Sequence, residues 1–202
     1  PDDPAKIVTP TESTVPYVAG YTPQVNGKDL TPVDATDLSK GYNYPTPVDP
    51  GTDTAISYQA NTQTITVNLV DKNGNAVKNT AGQITYSVTG KTDDTADFSG
   101  ITTSDKLVKG YVLTKDGTTT TITYGDGTIA QIVNIVYTPV GSYQTTSPDG
   151  TTSSLQYPND ATDPTKITTP ADTTVPYVAG YTPQVNGQKL TPVDATDLSK
   201  GY

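Results

Sequence analysis

The chain has 202 residues, 32% of them hydrophobic, and its 12 lysines are outweighed by 20 aspartates and one glutamate, for a net charge of −9. An acidic surface without clustered lysine repels nucleic acid and anionic membranes, so neither is expected as a partner. With no Cys and no His, thiol redox chemistry is removed, as are the side chains that most readily attack or titrate near neutral pH, so an enzyme is not expected.

The first distinctive element is residues 14–42, TVPYVAGYTPQVNGKDLTPVDATDLSKGY. It returns at 174–202 with 27 of 29 positions identical and an offset of 160. The two differences, Lys28 against Gln188 and Asp29 against Lys189, sit beside an Asn-Gly pair and suit an exposed turn. So long a period exceeds a solenoid repeat, and each period is expected to fold by itself as one member of a tandem array. Prolines at 16 and 23 cannot donate to a strand ladder, which predicts edge strand, coil or turn there rather than a central strand.

Residues 64–70, TITVNLV, alternate apolar Ile65, Val67 and Leu69 with polar neighbours, and predict the strongest strand. A turn is predicted at 71–74, DKNG, and a second strand around Ile84, Tyr86 and Val88. The acidic stretch 91–100 predicts a loop. A short helix is expected near 102–110, capped by Thr102, Thr103 or Ser104 and closed by Gly110. Strands are predicted at 111–114, 119–124 and 129–137. The texture then becomes Pro-rich again.

Threonine, with 40 residues, is β-branched and favours strands, whereas good helix formers are scarce. The expected class is mainly β: elongated tandem modules with a central β-grasp (ubiquitin-like) module at 60–139, flanked by Pro-rich β modules at 1–59 and 140–202. The first is expected to lack its start and the last its end, each leaving a strand edge open for another chain. No apolar run reaches membrane-spanning length, and no direct membrane insertion is expected. The composition suits a bacterial exterior, with anchoring to the cell wall through a region outside this chain.

Several segments taken in order resemble the mucus-binding-protein repeats of Gram-positive commensal adhesins. They are ITVNLVDKNG at 65–74, KGYVL at 109–113, QIVNIVYTP at 131–139, YPND at 157–160, DPTKI at 163–167 and VAGYTP at 178–183. The chain departs from that pattern in its acidic 91–100 stretch and in the opening of its last module at 141–152. The resemblance implies a non-enzymatic cell-surface adhesin that binds host mucin glycoproteins and glycans, with avidity supplied by tandem copies. It also implies immunoglobulin as an alternative partner, bound by strand addition, for which 119–124 is the candidate edge. A third reading is a structural stalk spacer.

Candidate glycan contacts are Tyr17, Tyr21, Tyr177 and Tyr181, which lie among Pro and Gly, where a ring can stack on a sugar or close a small core. Asp71, Asn73 and Asn75 offer oxygens at alternate positions for calcium, although a hairpin turn explains the same pattern. No other cofactor is expected. Asp93, Asp94 and Asp97 form an acidic cluster that reads as a solvated loop, and no spacing singles out a Lys–Asn–acid trio for an isopeptide cross-link.

Overall fold

The computed structural model describes residues 13–49, 51–170 and 173–202. The strands in chain order are β1 (Tyr21–Val25), β2 (Lys28–Asp29), β3 (Ser57–Ala60), β4 (Thr62–Asp71), β5 (Thr85–Lys91), β6 (Tyr111–Asp116), β7 (Gln131–Pro139), β8 (Ser142–Thr146), β9 (Thr152–Gln156), β10 (Gln184–Val185) and β11 (Gln188–Lys189). They form a three-stranded sheet ordered β2-β1-β3, a four-stranded sheet ordered β5-β4-β7-β6, and the pairs β8-β9 and β10-β11. The protein is mainly β, and among the described residues there is no α-helix.

Two compact units divide the chain. The first holds the described residues up to Asn68 with Thr85–Gly100 and Gly117–Asn134, and the second holds Leu69–Ile84, Ile101–Asp116 and Ile135–Tyr202. Strands β4 and β7 belong partly to each. In the first unit the alternation of β4 buries Ile65 and Val67 with Phe98, Tyr124 and Val133. Gly90 is required on β5, because a Cβ there would run into the Tyr124 ring. In the second unit Leu69, Val77, Ile101, Val108, Ile135 and Tyr137 are buried. Each such side chain contributes roughly 1.5–3 kcal/mol on burial. The Tyr137 hydroxyl donates to the Lys106 carbonyl at 3.0 Å, and the mostly buried Lys106 ammonium meets Asp116 at 2.7 Å.

Three expectations are corrected. The helix near 102–110 is one 3-10 turn, Ser104–Lys106, and Leu107 is already extended. Asp105 accepts from the Thr102 N–H and hydroxyl, and Leu107 gives its carbonyl to the Thr80 N–H, so the turn is closed locally and its continuation drawn away. So short a helix is marginal without packing. Residues 119–124 are not a strand. Instead they meet the acidic stretch through one isolated antiparallel bridge, Thr123 with Thr95: Tyr124 N–H bonds to the Asp94 carbonyl and Ala96 N–H to the Ile122 carbonyl, and Asp93 N–H bonds to the Tyr124 carbonyl beside it. The third correction is β1, which holds Pro23 in the middle of its sheet. The Pro23 carbonyl accepts from the Leu30 N–H, so its nitrogen faces the β2 side, where β2 pairs only with Gln24 and Val25 and asks for no donor from position 23.

Candidate functional site

The 29 duplicated residues fold locally in one way twice. Asn26 and Asn186 take φ of 50° and 52°, followed by Gly27 and Gly187 at 75° and 78°, which makes the tight turn between β1 and β2 and between β10 and β11. Leu38–Lys40 and Leu198–Lys200 are 3-10 turns, each with a capping aspartate that accepts from the serine N–H. The Val15 and Tyr42 backbones exchange two bonds, as do Val175 and Tyr202. Asp34 accepts from the Thr36 N–H, the Thr36 hydroxyl and Lys40 Nζ, and Asp194 repeats the set with Thr196 and Lys200. The lysine, then the threonine hydroxyl and N–H, hold each carboxyl at about 2.

What surrounds the copies differs. In the first copy β1 pairs antiparallel with β3, with Tyr21 opposite Ala60 and Gln24 opposite Ser57. Val15, Leu30 and Tyr42 form a buried cluster covered by Val25, Tyr44 and Ile56. Burial raises the Tyr42 hydroxyl above its ordinary pKa, with Tyr17, Asp29 and Tyr58 adding to the effect. Tyr58 donates to the Pro16 carbonyl at 2.6 Å.

Gly20 closes this copy against the stretch after β5. Its carbonyl accepts from the Asn61 N–H and from the buried Thr92 hydroxyl, both at 2.8 Å. A Cβ on Gly20 would lie 2.6 Å from the Thr92 methyl and 2.9 Å from Asp126 Cα. Beside it, the Tyr21 hydroxyl donates to Asp93 at 2.6 Å, and this bond raises the Tyr21 pKa, with burial and the charges of Asp93 and Asp94 adding. Asp93 is itself at φ 68°, a left-handed position that Asp tolerates. Nothing in the sequence marks it as the partner of Tyr21, because the pairing spans 72 residues of chain.

In the second copy Tyr181 is 60% exposed and Val185 49%, and a Cβ on Gly180 would meet nothing within 4 Å. Tyr17 and Tyr177 keep exposed rings at 36% and 39%. Of the four sequence-predicted tyrosines, the structure therefore engages the hydroxyl of Tyr21 in protein contacts and leaves the rings of Tyr17, Tyr177 and Tyr181 exposed.

Asp71, Asn73 and Asn75 come together in the turn after β4. One Asp71 oxygen accepts from the N–H groups of Asn73 and Asn75, and the other from the Asn75 amide. These bonds, that of the Asn75 side chain first, lower the Asp71 pKa. Among the described residues no three acidic side chains converge as metal ligands.

Sequence reasoning also missed a residue that ties the last segment to β6. The Asn159 side chain accepts from the Gly110 N–H at 2.7 Å and donates to the Tyr111 carbonyl at 2.6 Å. The only prior signal was its place in YPND. Among the described residues, no helix is long and apolar enough to cross a membrane. In comparisons with known proteins, no family model and no curated protein matches the chain.

Proposed function

We propose that the chain is part of a tandem-repeat, non-enzymatic adhesin displayed on a bacterial cell surface, which binds host mucin glycans weakly at each repeat and firmly through many. The observation that carries this reading is the 29-residue element that returns 160 residues later and adopts the same local structure in both places. Serial copies give avidity of about 10²–10⁴-fold without new contacts, whereas they add little to catalysis. The resemblance to mucus-binding repeats supports the ligand class. The sheet order β5-β4-β7-β6 also supports a β-grasp-like middle module, since it sets the first and last strands side by side between the two others, with the 104–106 turn in place of the helix.

Tyr17 and Tyr177 are the residues assigned to sugar stacking, because both copies expose the ring while Tyr21 is engaged with Asp93. The test compares one 160-residue unit with an array of several on purified mucin, intact and enzymatically deglycosylated. The array is expected to dwell far longer on intact mucin, and Tyr→Ala at the Tyr17 position of every unit is expected to abolish binding. Equal residence times for unit and array, or binding that survives deglycosylation, would overturn the proposal.

A further inference from the structure

The second copy carries an open groove of about 480 Å³ whose walls include Tyr143, Val175, Pro176, Val185, Leu190 and Tyr202. Five of these are duplicates of Val15, Pro16, Val25, Leu30 and Tyr42. In the first copy Val15, Leu30 and Tyr42, with the Pro16 carbonyl, meet the segment following Tyr42, and Val25 packs on the same cluster. Tyr44 and Ile56 pack on the Val15, Leu30 and Tyr42 cluster, Tyr58 donates to the Pro16 carbonyl, and Asn43 N–H binds the Thr31 carbonyl. The strand edge that β3 covers in the first copy is the edge 181–184 in the second, where regular pairing shrinks to Gln184–Val185 against Gln188–Lys189. The far wall is the β8-β9 hairpin, which contributes the exposed Tyr143 and Leu155. Apolar side chains thus face a groove whose counterpart, 160 residues away in the same chain, has segment 43–55 as its other wall.

We infer that the second copy is an acceptor site for a second copy of segment 43–61. Tyr181, Thr182, Pro183 and Gln184 would pair in the register that Tyr21, Thr22, Pro23 and Gln24 adopt with Ala60, Gln59, Tyr58 and Ser57. The occupant is fixed by identity of the walls: a surface that differs at two exposed positions out of 29 recognises the same side chains. The site would act as a joint wherever another copy of segment 43–61 reaches it, and this holds whether or not mucin is the ligand. Because Pro23 faces β2, the N–H groups of Thr22 and Gln24 face β3, whereas among the described residues no strand pairs with those of Thr182 and Gln184 on the corresponding side.

The test appends residues 43–61 after Tyr202 and follows amide hydrogen exchange in the 202-residue chain and its extension. Exchange at Thr182 and Gln184 is expected to slow by about tenfold or more on extension, toward the rates of Thr22 and Gln24. The extended chain is expected to remain monomeric, and Ile56→Asp in the appended segment alone is expected to abolish the protection. Unchanged exchange at Thr182 and Gln184 would overturn the inference. So would a 202-residue chain that dimerises and already protects those amides, because the occupant would then be a surface of another whole molecule rather than this segment.

Discussion

Residues 14–42 and 174–202 are nearly one sequence in two settings, and the difference between them separates what a segment encodes from what its neighbours supply. The turns, the 3-10 caps and the Asp–Thr–Lys networks are the same in both. The five-residue strand β1 is not: its counterpart β10 has two residues. Burial follows the pairing, since Leu30 is 8% exposed in a covered cluster while Leu190 is only half-buried. Contacts within a few residues reproduce themselves wherever the sequence is placed, and contacts to residues 44–60, 92 and 93 do not.

Twin substitutions measure that difference. The largest is expected at Gly20 and Gly180, both at φ 81°. Alanine at Gly180 meets open space and costs about 1–2 kcal/mol for the left-handed backbone. Alanine at Gly20 adds the collision with Thr92 and the backbone of Asp126, for a total of about 3–5 kcal/mol by denaturant unfolding. Equal costs would mean that Gly20 is not tightly seated. Next, Leu30→Ala is expected to cost about 2–3 kcal/mol and Leu190→Ala about 1 kcal/mol, because only the first removes a side chain from a covered cluster.

The same division explains how much the sequence disclosed. The alternation of Ile65, Val67 and Leu69 located β4, because a strand with one buried face writes its period into adjacent residues. Pro23 misled, because its cost depends on whether the neighbouring strand asks for a donor, and a two-residue β2 does not. Residues 119–124 look like a strand by composition, yet their backbone groups are taken by Asp93, Asp94 and Ala96, which no local pattern encodes. At the candidate site the Pro-flanked pattern singled out Tyr17 and Tyr177 but left an exposed ring and a small core equally open, and the structure exposes both rings. The bond from Tyr21 to Asp93 and the Asn159 bridge were not legible, since each joins residues at least 48 apart.

Tyr21 and Tyr181 give a smaller effect, visible at high pH. The Tyr21 phenol donates to Asp93, so its folded pKa lies above 10.0 and the bond contributes stability that is whole below pH 10 and lost as pH rises through the folded value. Tyr21→Phe is expected to remove that part of the alkaline loss of stability, measured by unfolding between pH 8 and about 11. Tyr181→Phe, which removes a hydroxyl for which no partner appears among the described residues, is the twin against which that change is read. Identical profiles for the two variants would mean that the Asp93 contact does not hold the first copy in solution.

The smallest difference is expected at Asp34 and Asp194, and it should be none. Each carboxylate is bonded by a threonine two residues on and a lysine six residues on, and none of these partners lies outside the duplicated element. Both folded pKa values lie at about 2, below the ordinary 3.8, so each network contributes stability that is present above pH 3.8 and lost as pH falls through about 2. The lysines are about half exposed, so salt should weaken both pairs, and to the same degree. Carboxyl carbon shifts followed by NMR from pH 5 down to about 1.5 should give one midpoint for the two residues. A midpoint for Asp194 nearer 3.8 would show that the second copy needs its covering segment even to hold its local turns, and the line drawn here between encoded and supplied structure would have to move inside the 29 residues.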